Sequence, residues 1–341
     1  MAGTSAPAAA RGAAHRGMYV RTPLLRSEPL SRLLGRQVWL KLDNLQHSGS
    51  FKLRGMSLAC LRAREAGAKM LVSSSGGNAG LAVAHAGRTL GMPTTVCLPT
   101  STPAFIRGRL EAFGAKVVVQ GSMWSEANAH AERLAEESGG VLMHPFDMPD
   151  AWDGHASLVH EIHEDLGEGV TPGMVIASVG GGGLLMGVLQ GLQEAGWGDV
   201  PVLAVETEGA DALSQALRAG KLVTLPEISS VAKSLGADCV SEKVFQRCQE
   251  LEPKGLLHSW VTSDFAAVRA CQAFADDHRM LVEPACGASL AAVYERADVL
   301  LTEDPKIDNI VVEVCGGGVI TSEILADYAA QLVGPVQGAA D

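Results

Sequence analysis

Along most of the chain, short and nearly continuous runs of β-branched apolar residues alternate with segments whose apolar positions recur at helical spacing. The runs predict strands at 38–42, 69–73, 94–98, 116–119, 174–179, 202–205 and 309–314. Between them, the 3.6-residue period predicts helices over 52–66, 79–90, 103–113, 124–138, 152–165, 184–195, 263–278, 287–301 and 321–333. Glycine closes several of these, at Gly67, Gly91, Gly114 and Gly196, where a left-handed C-terminal cap is expected. Strands apolar throughout, alternating with helices, imply an α/β fold of twisted, mostly parallel sheets covered by helices. Ligands of such sheets gather at the carboxyl ends of strands. Four strand-to-loop transitions therefore stand out: SSSGGNAG at 73–80, SVGGGGL at 178–184, VETEGA at 205–210 and EVCGGG at 313–318.

With 341 residues there is room for two domains, and 47% hydrophobic residues with 39 glycines describe a globular composition. A formal charge of −11 argues against nucleic acid and anionic membranes, which reward clustered Lys and Arg. The seven cysteines are scattered without CxxC spacing, which reads as a reduced, cytoplasmic protein rather than a disulfide framework or zinc site. Residues 174–192 carry no charge over a length that would span a membrane. Four successive glycines inside that stretch would cost a helix about 1 kcal/mol each relative to alanine, so strand, glycine loop and helix fit better than a span. The N-terminal stretch has two arginines, no acids and no apolar core, so it is not a secretory signal; a transit-like segment and a disordered tail both stay open.

Gly180-Gly181-Gly182-Gly183 before Leu184 sets bare backbone amides at the start of a helix, where missing side chains and the helix dipole favour a phosphate. No Gly-Lys-Ser/Thr follows, and no GxGxxG with a ribose-binding acid is present. A tight helix–sheet crossing is the plainer alternative. In Ser75-Gly76-Gly77-Asn78-Ala79, backbone donors suit a carboxylate, and Ser75 and Asn78 add side-chain bonds; the plainer role makes Asn78 a helix N-cap. Lys52 follows Phe51 at the opening of a helix, so an apolar ring and positive helix potential both oppose its ammonium form. By itself Lys52 would read as a surface lysine. One lysine suited to a Schiff base, one phosphate cradle and one carboxylate cradle together match pyridoxal phosphate holding an amino acid. His160, Glu161, His163 and Glu164 lack HExxH spacing and read as a solvated helix face. Glu283 and Pro284 read as the start of a helix.

SGSFKLRG, SSSGGNAG, SVGGGGLL and VCGGG, in this order, resemble the tryptophan-synthase-β-type (fold type II) pyridoxal-phosphate enzymes. Within them the chain is most similar to the serine/threonine dehydratase group, especially serine dehydratase-like proteins, with RTPLL, PFD, GHASL, SVAKSLGA and MLVEPACGA in support over roughly residues 19 to 335. The resemblance implies a large cofactor-binding domain of 18–43 plus 150–335, a small domain of 44–149, and tails at 1–17 and 336–341, with no appended regulatory domain. It implies that Lys52 forms the imine with the cofactor, Phe51 packs on its ring and Asn78 bonds the ring's 3′-oxygen. Gly180, Gly181, Gly182, Gly183 and Leu184 hold the phosphate, Ser234 lies beside the cofactor and Cys315 faces the pyridine nitrogen. A thiol there, unlike a carboxylate, does not keep that nitrogen protonated, which favours elimination over transamination.

Substrate would sit on Ser75, Gly76, Gly77, Asn78 and Ala79, with Lys52 and Ser75 in proton transfer. A monovalent cation such as K⁺ is implied at Glu206 with carbonyls of Gly180, Ala210, Leu235 and Ala237, although a salt bridge or solvated strand end is the plainer role for Glu206. The activity implied is dehydration and deamination of L-serine or L-threonine to a 2-oxo acid and ammonia, in a homodimer. Serine dehydratases proper carry Ala at the positions of Gly76 and Ser234. Gly76 is expected to loosen the substrate loop and add room. The same fold leaves β-replacement and racemisation open, and Gly76 and Ser234 keep open a pyridoxal-phosphate-binding regulatory protein with little turnover.

Overall fold

The structure, a computed structural model, describes residues 15–301 and 307–333. Ten strands lie among these residues: β1 (Leu24–Arg26), β2 (Gln37–Lys41), β3 (Leu71–Ser73), β4 (Thr94–Leu98), β5 (Lys116–Val119), β6 (Val141–Leu142), β7 (Met174–Ser178), β8 (Val202–Thr207), β9 (Leu257–Thr262) and β10 (Asn309–Glu313). They make two sheets, one in each of two compact units. Of the described residues, the first unit holds 15–23, Asp43–Gly167 and Met186–Gly198; the second holds Leu24–Leu42, Glu168–Leu185, 199–301 and 307–333.

In the first unit the strands run in the order β5-β4-β3-β6, all parallel. The second unit has the order β1-β2-β10-β7-β8-β9, parallel except where β1 meets β2. Every residue of β3, β4, β7 and β8 is buried, as expected of strands covered on both faces. The fold is the α/β architecture read from the sequence. Gly67, Gly91, Gly114 and Gly196 take φ of +91°, +65°, +89° and +74°, the left-handed caps expected of them.

Three strands and three helices escape the sequence pattern. β1 and β6 have three and two residues, too few to display a period. β9, LHSWVT, is an edge strand whose polar residues break the apolar run. The helix Glu28–Leu34 is only two turns long, yet it carries its signals: Ser27 accepts from Leu30 N at 3.2 Å, proline stands in the first turn, and Gly35 closes it at φ +68°. Helices Ala212–Ala219 and Glu242–Leu251 are also short. The helix expected over 287–301 spans Pro284–Tyr294, and Arg296 then turns to φ +56°.

The units divide differently from the expected domains. Helix Pro149–Leu166 belongs to the unit of the smaller sheet, not to the large domain assigned from 150 onward. It crosses helix Lys52–Glu65 where both are glycine: a Cβ on Gly154 would lie 2.7 Å from Gly55 Cα and 2.5 Å from Arg54 O. Residues 15–23 join the same unit. His15, expected in a tail, is buried, and its Nε2 donates to Arg54 O at 2.8 Å. The rest of that tail and residues 336–341 lie outside the described residues.

Candidate active site

Lys52 is the first residue of helix Lys52–Glu65, with Phe51 as an N-cap that makes no side-chain cap bond. The lysine is half-buried; its Nζ lies 5.1 Å from the Phe51 ring centroid and donates to Pro145 O at 2.5 Å. Behind Phe51, at 5.0 Å between centroids, lies the fully buried ring of His155. A Cβ on Gly55 would lie 2.4 Å from that imidazole, and one on Gly187 would lie 2.3 Å from His155 Cβ. His155 therefore fills a socket that two glycines leave open. Burial, then the charge of Lys52, holds it neutral, far below the usual histidine range.

Arg54 fixes this turn to the rest of the unit. Its Nε and Nη2 donate to Asp43 at 2.7 and 2.8 Å, and Nη1 and Nη2 donate to Glu161 at 2.7 Å each. Ser157 and Thr22 accept further bonds at 3.1 and 3.0 Å. Burial opposes the guanidinium's charge, but Asp43 and Glu161 outweigh it and raise its pKa. Neither Arg54 nor His155 is signalled by sequence, because each is recognisable only by partners distant along the chain. VHEIHED is thus not a uniform solvated face: Glu161 is buried on Arg54, while His160 meets Glu194 at 2.9 Å, His163 lies against Trp197 and Glu164 pairs with Arg21. Among the described residues no group of three or more His, Cys, Asp or Glu could hold a metal.

In the same unit β3 leads into the 75–79 loop. Ser75 N donates to Ser73 Oγ and Gly77 N donates to Ser75 Oγ, both at 3.2 Å. The helix Asn78–Leu90 begins after Gly77, which supplies no side-chain cap, so Asn78 is its first residue and not its N-cap. Asn78 and Ala79 are buried, and Ser75, Gly76 and Gly77 are half-buried. The chain doubles back so closely that a Cβ on Gly80 would meet Ser75 O at 1.8 Å. Gly76 corrects the expectation of extra substrate room: a Cβ there would meet Leu98 Cδ2 and Thr102 Cγ2 at 3.2 Å each, so the space it leaves lies beneath the loop.

In the second unit, β7 ends at Ser178, and Val179 N donates to Val205 O at 2.8 Å before the glycine run. Gly182 takes φ +89°, and a Cβ there would lie 2.5 Å from Val244. A Cβ on Gly180 would press on the Leu235 backbone at 3.0 Å. Close packing thus accounts for Gly180 and Gly182. Gly181 and Gly183 remain as bare amides at the N-terminus of helix Gly183–Glu194, and Leu184 is buried in its first turn. Ser234 is exposed on the 3₁₀ turn Lys233–Leu235, beside the loop that Gly180 touches.

Glu206, at the end of β8, is fully buried and accepts from Leu213 N at 2.8 Å and Ser214 N at 2.7 Å. It caps helix Ala212–Ala219, a task its N-cap residue Asp211 leaves undone. Burial pushes its pKa up to about 8, against the pull of the two N–H bonds. Ala210 N donates to Thr207 O at 2.9 Å and Ala237 N to Leu235 O at 2.7 Å, so these residues lie in tight turns of the same unit. Cys315 follows β10 and is buried, and its neighbour Cys286 together with burial pushes its thiol well up from the ordinary cysteine range.

The first unit thus carries a half-buried amine at a helix start and a loop of backbone donors, and the second carries glycine amides at a helix start. The chain belongs to the pyridoxal-phosphate dependent enzyme family, whose sequence profile matches residues 16–321. It is 49% identical over 315 residues to the rat (Rattus norvegicus) protein named serine dehydratase-like, covering 91% of this chain and 94% of that one. It is 46% identical to the L-serine dehydratase/L-threonine deaminase of Mus musculus, covering 94% and 98%. A fungal L-serine ammonia-lyase from Rhizomucor miehei superposes with a TM-score of 0.84 at 36% identity, covering 91% and 98%. Taken group by group, the residues present have the chemistry the cofactor requires: an amine for its aldehyde, helix-terminal amides for its phosphate and a neutral thiol suited to an unprotonated ring nitrogen.

Proposed function

We propose that this chain is an L-serine/L-threonine ammonia-lyase, converting a β-hydroxy amino acid to a 2-oxo acid and ammonia. Lys52 carries the reading: its amine is half-buried over Phe51 at a helix start, in a chain whose relatives are named for serine and threonine elimination. Bound pyridoxal phosphate supplies an electron sink for the substrate α-carbon. Gly180, Gly181, Gly182, Gly183 and Leu184 would hold its phosphate, Asn78 its ring oxygen, Phe51 its ring face and Cys315 its ring nitrogen, with Ser234 alongside. Backbone N–H groups of Ser75 to Ala79 take the substrate carboxylate.

Lys52, once its amine is free, removes the α-proton, a role worth about 10²–10⁴-fold. Pro145 O accepts a hydrogen bond from that nitrogen and steers it. Ser75 Oγ is the acceptor in its bond from Gly77 N, so its hydroxyl hydrogen, or a proton of the cofactor phosphate, goes to the departing β-hydroxyl as it leaves as water, and the α-proton taken up by Lys52 restores the donor. The released enamine hydrolyses to pyruvate from serine or 2-oxobutyrate from threonine.

The same reading places K⁺ on Glu206 with carbonyls of Gly180, Ala210, Leu235 and Ala237, since a cation would hold ionised a carboxylate that burial otherwise protonates near neutral pH. It takes the protein to be a cytoplasmic homodimer. Seven unpaired cysteines support a reducing compartment, and no helix among the described residues is long and apolar enough to cross a membrane.

The assay is keto-acid and ammonia release from L-serine and L-threonine by purified holoenzyme, with Lys52→Ala as control. Equimolar keto acid and ammonia from wild type and none from Lys52→Ala are expected. D-serine or a β-substituted amino acid as the only product would replace elimination with racemisation or β-replacement. Binding of pyridoxal phosphate without turnover would make the protein a carrier.

A further inference from the structure

Pro145 O, the oxygen that accepts from Lys52 Nζ at 2.5 Å, belongs to a short turn between β6 and the helix Pro149–Leu166. Proline brings no N–H of its own to that turn. Before it, Met143 N donates to Val72 O at 2.8 Å, which fixes the end of β6 to β3. The next two backbone hydrogens converge on the side chain of His144: Phe146 N donates to its Nδ1 at 3.4 Å and Asp147 N donates to the same nitrogen at 3.0 Å. Phe146 O accepts from the indole Nε1 of buried Trp152 at 2.7 Å, and the imidazole stands edge-on to the Phe146 ring with 4.7 Å between centroids. The Pro145–Phe146 peptide is trans, so its C=O and N–H point opposite ways in one plane. Its N–H end is held by His144 and its C=O end meets Lys52. The imidazole therefore sets the direction in which the carbonyl is offered to the lysine. A bond to the N–H also polarises the C=O and strengthens what it accepts. Nδ1 accepts only while unprotonated, which puts the ring hydrogen on Nε2.

We propose that His144 is a positioning residue for Lys52: by holding the Phe146 N–H it aims the Pro145 carbonyl, which takes one N–H of the lysine and leaves the amine's lone pair for the substrate α-proton. This rests on the reading above that Lys52 removes that proton. Pro145 O touches the lysine, whereas His144 acts only through the turn. Without an acceptor at Nδ1 the Pro145–Phe146 peptide is free to rotate, the lysine loses its fixed partner and proton removal slows. The groups assigned to the cofactor and to the substrate carboxylate keep their places.

The test compares holoenzyme variants with L-serine and α-deuterated L-serine, and follows amide hydrogen exchange at Phe146 and Asp147 in the same proteins. His144→Phe keeps an aromatic ring against Phe146 but has no acceptor. It should lower kcat about tenfold or more with KM nearly unchanged, enlarge the deuterium effect on kcat and speed exchange at both amides. His144→Asn, whose side-chain oxygen accepts from the N–H two residues on, should recover most of all three. His144→Ala serves if the phenylalanine variant does not fold and should behave like it. Wild-type kcat and isotope effect in His144→Phe or His144→Ala overturn the proposal, and faster amide exchange beside them shows the imidazole ordering the turn alone, with Lys52 keeping its role. A loss of kcat that His144→Asn does not restore overturns it as well. Turnover retained by Lys52→Ala would instead strike the assignment of Lys52 as the base, and this proposal with it.

Discussion

Two residues after Lys52, Arg54 spends its charge on Asp43 and Glu161 with no water in reach. Removing one partner of such a buried group leaves the others uncompensated, which costs about 3–5 kcal/mol. Arg54→Met should therefore lower the unfolding free energy from urea titration by that much, and it should lower kcat as well, because the first turn of the Lys52 helix is held by these bonds. In the sequence Arg54 looks like any basic helix residue, because the partner that distinguishes it, Glu161, lies 107 positions on. Lys52 was legible because its cue, a Ser/Gly turn then Phe51, is local. His15 is the opposite case again. Burial pulls its pKa down to about 4, so the folded protein keeps it neutral where the unfolded chain would protonate it. Its contribution is complete above about pH 6.5 and is lost as pH falls from 6.5 towards 4. His15→Gln, read by thermal melts at pH 5 and pH 7.5, should narrow the difference between the two.

At the level of elements, the glycine run shows two demands on one loop. Gly182 combines φ +89° with a Cβ position 2.5 Å from Val244. Gly182→Ala should cost about 1–3 kcal/mol and loosen the hold on pyridoxal phosphate, since the strain falls on the loop whose amides are presented. Adding Val244→Ala should recover part of the stability by removing the clash; a melting temperature unaffected by the second change would show that backbone strain alone matters. Long elements were readable because several turns repeat their period. The two-turn helix Glu28–Leu34 and the two-residue β6 were not, because their partners, not their own repeat, hold them. Helix boundaries set by glycine were read correctly at Gly67, Gly91, Gly114 and Gly196, where backbone geometry is a local property.

For the whole molecule, the buried Glu206 sets a pH dependence opposite in sign to that of His15. Raised from 4.5 to about 8, its protonated form stabilises the fold below pH 4.5, and that contribution drains away as pH rises from 4.5 to 8. At about 1.4 kcal/mol per pH unit the loss is at most about 5 kcal/mol. In buffers free of small cations the melting temperature should fall between pH 6.5 and 9, added KCl should restore it, and Glu206→Gln should flatten the slope. A potassium-independent melt would remove the cation from Glu206 and leave it as a helix cap.

What the sequence determined by itself was whatever depends on neighbours along the chain: alternating strands and helices, left-handed caps, glycine loops at strand ends, and a lysine opening a helix behind a phenylalanine. The tertiary structure alone decided which residues are withdrawn from water and whom they then meet. The cost of burying a charged group is met by a partner brought close through folding, and a ring is seated only where distant glycines leave it room, so the Arg54–Asp43–Glu161 cluster and the socket of His155 exist at no shorter range than the fold itself.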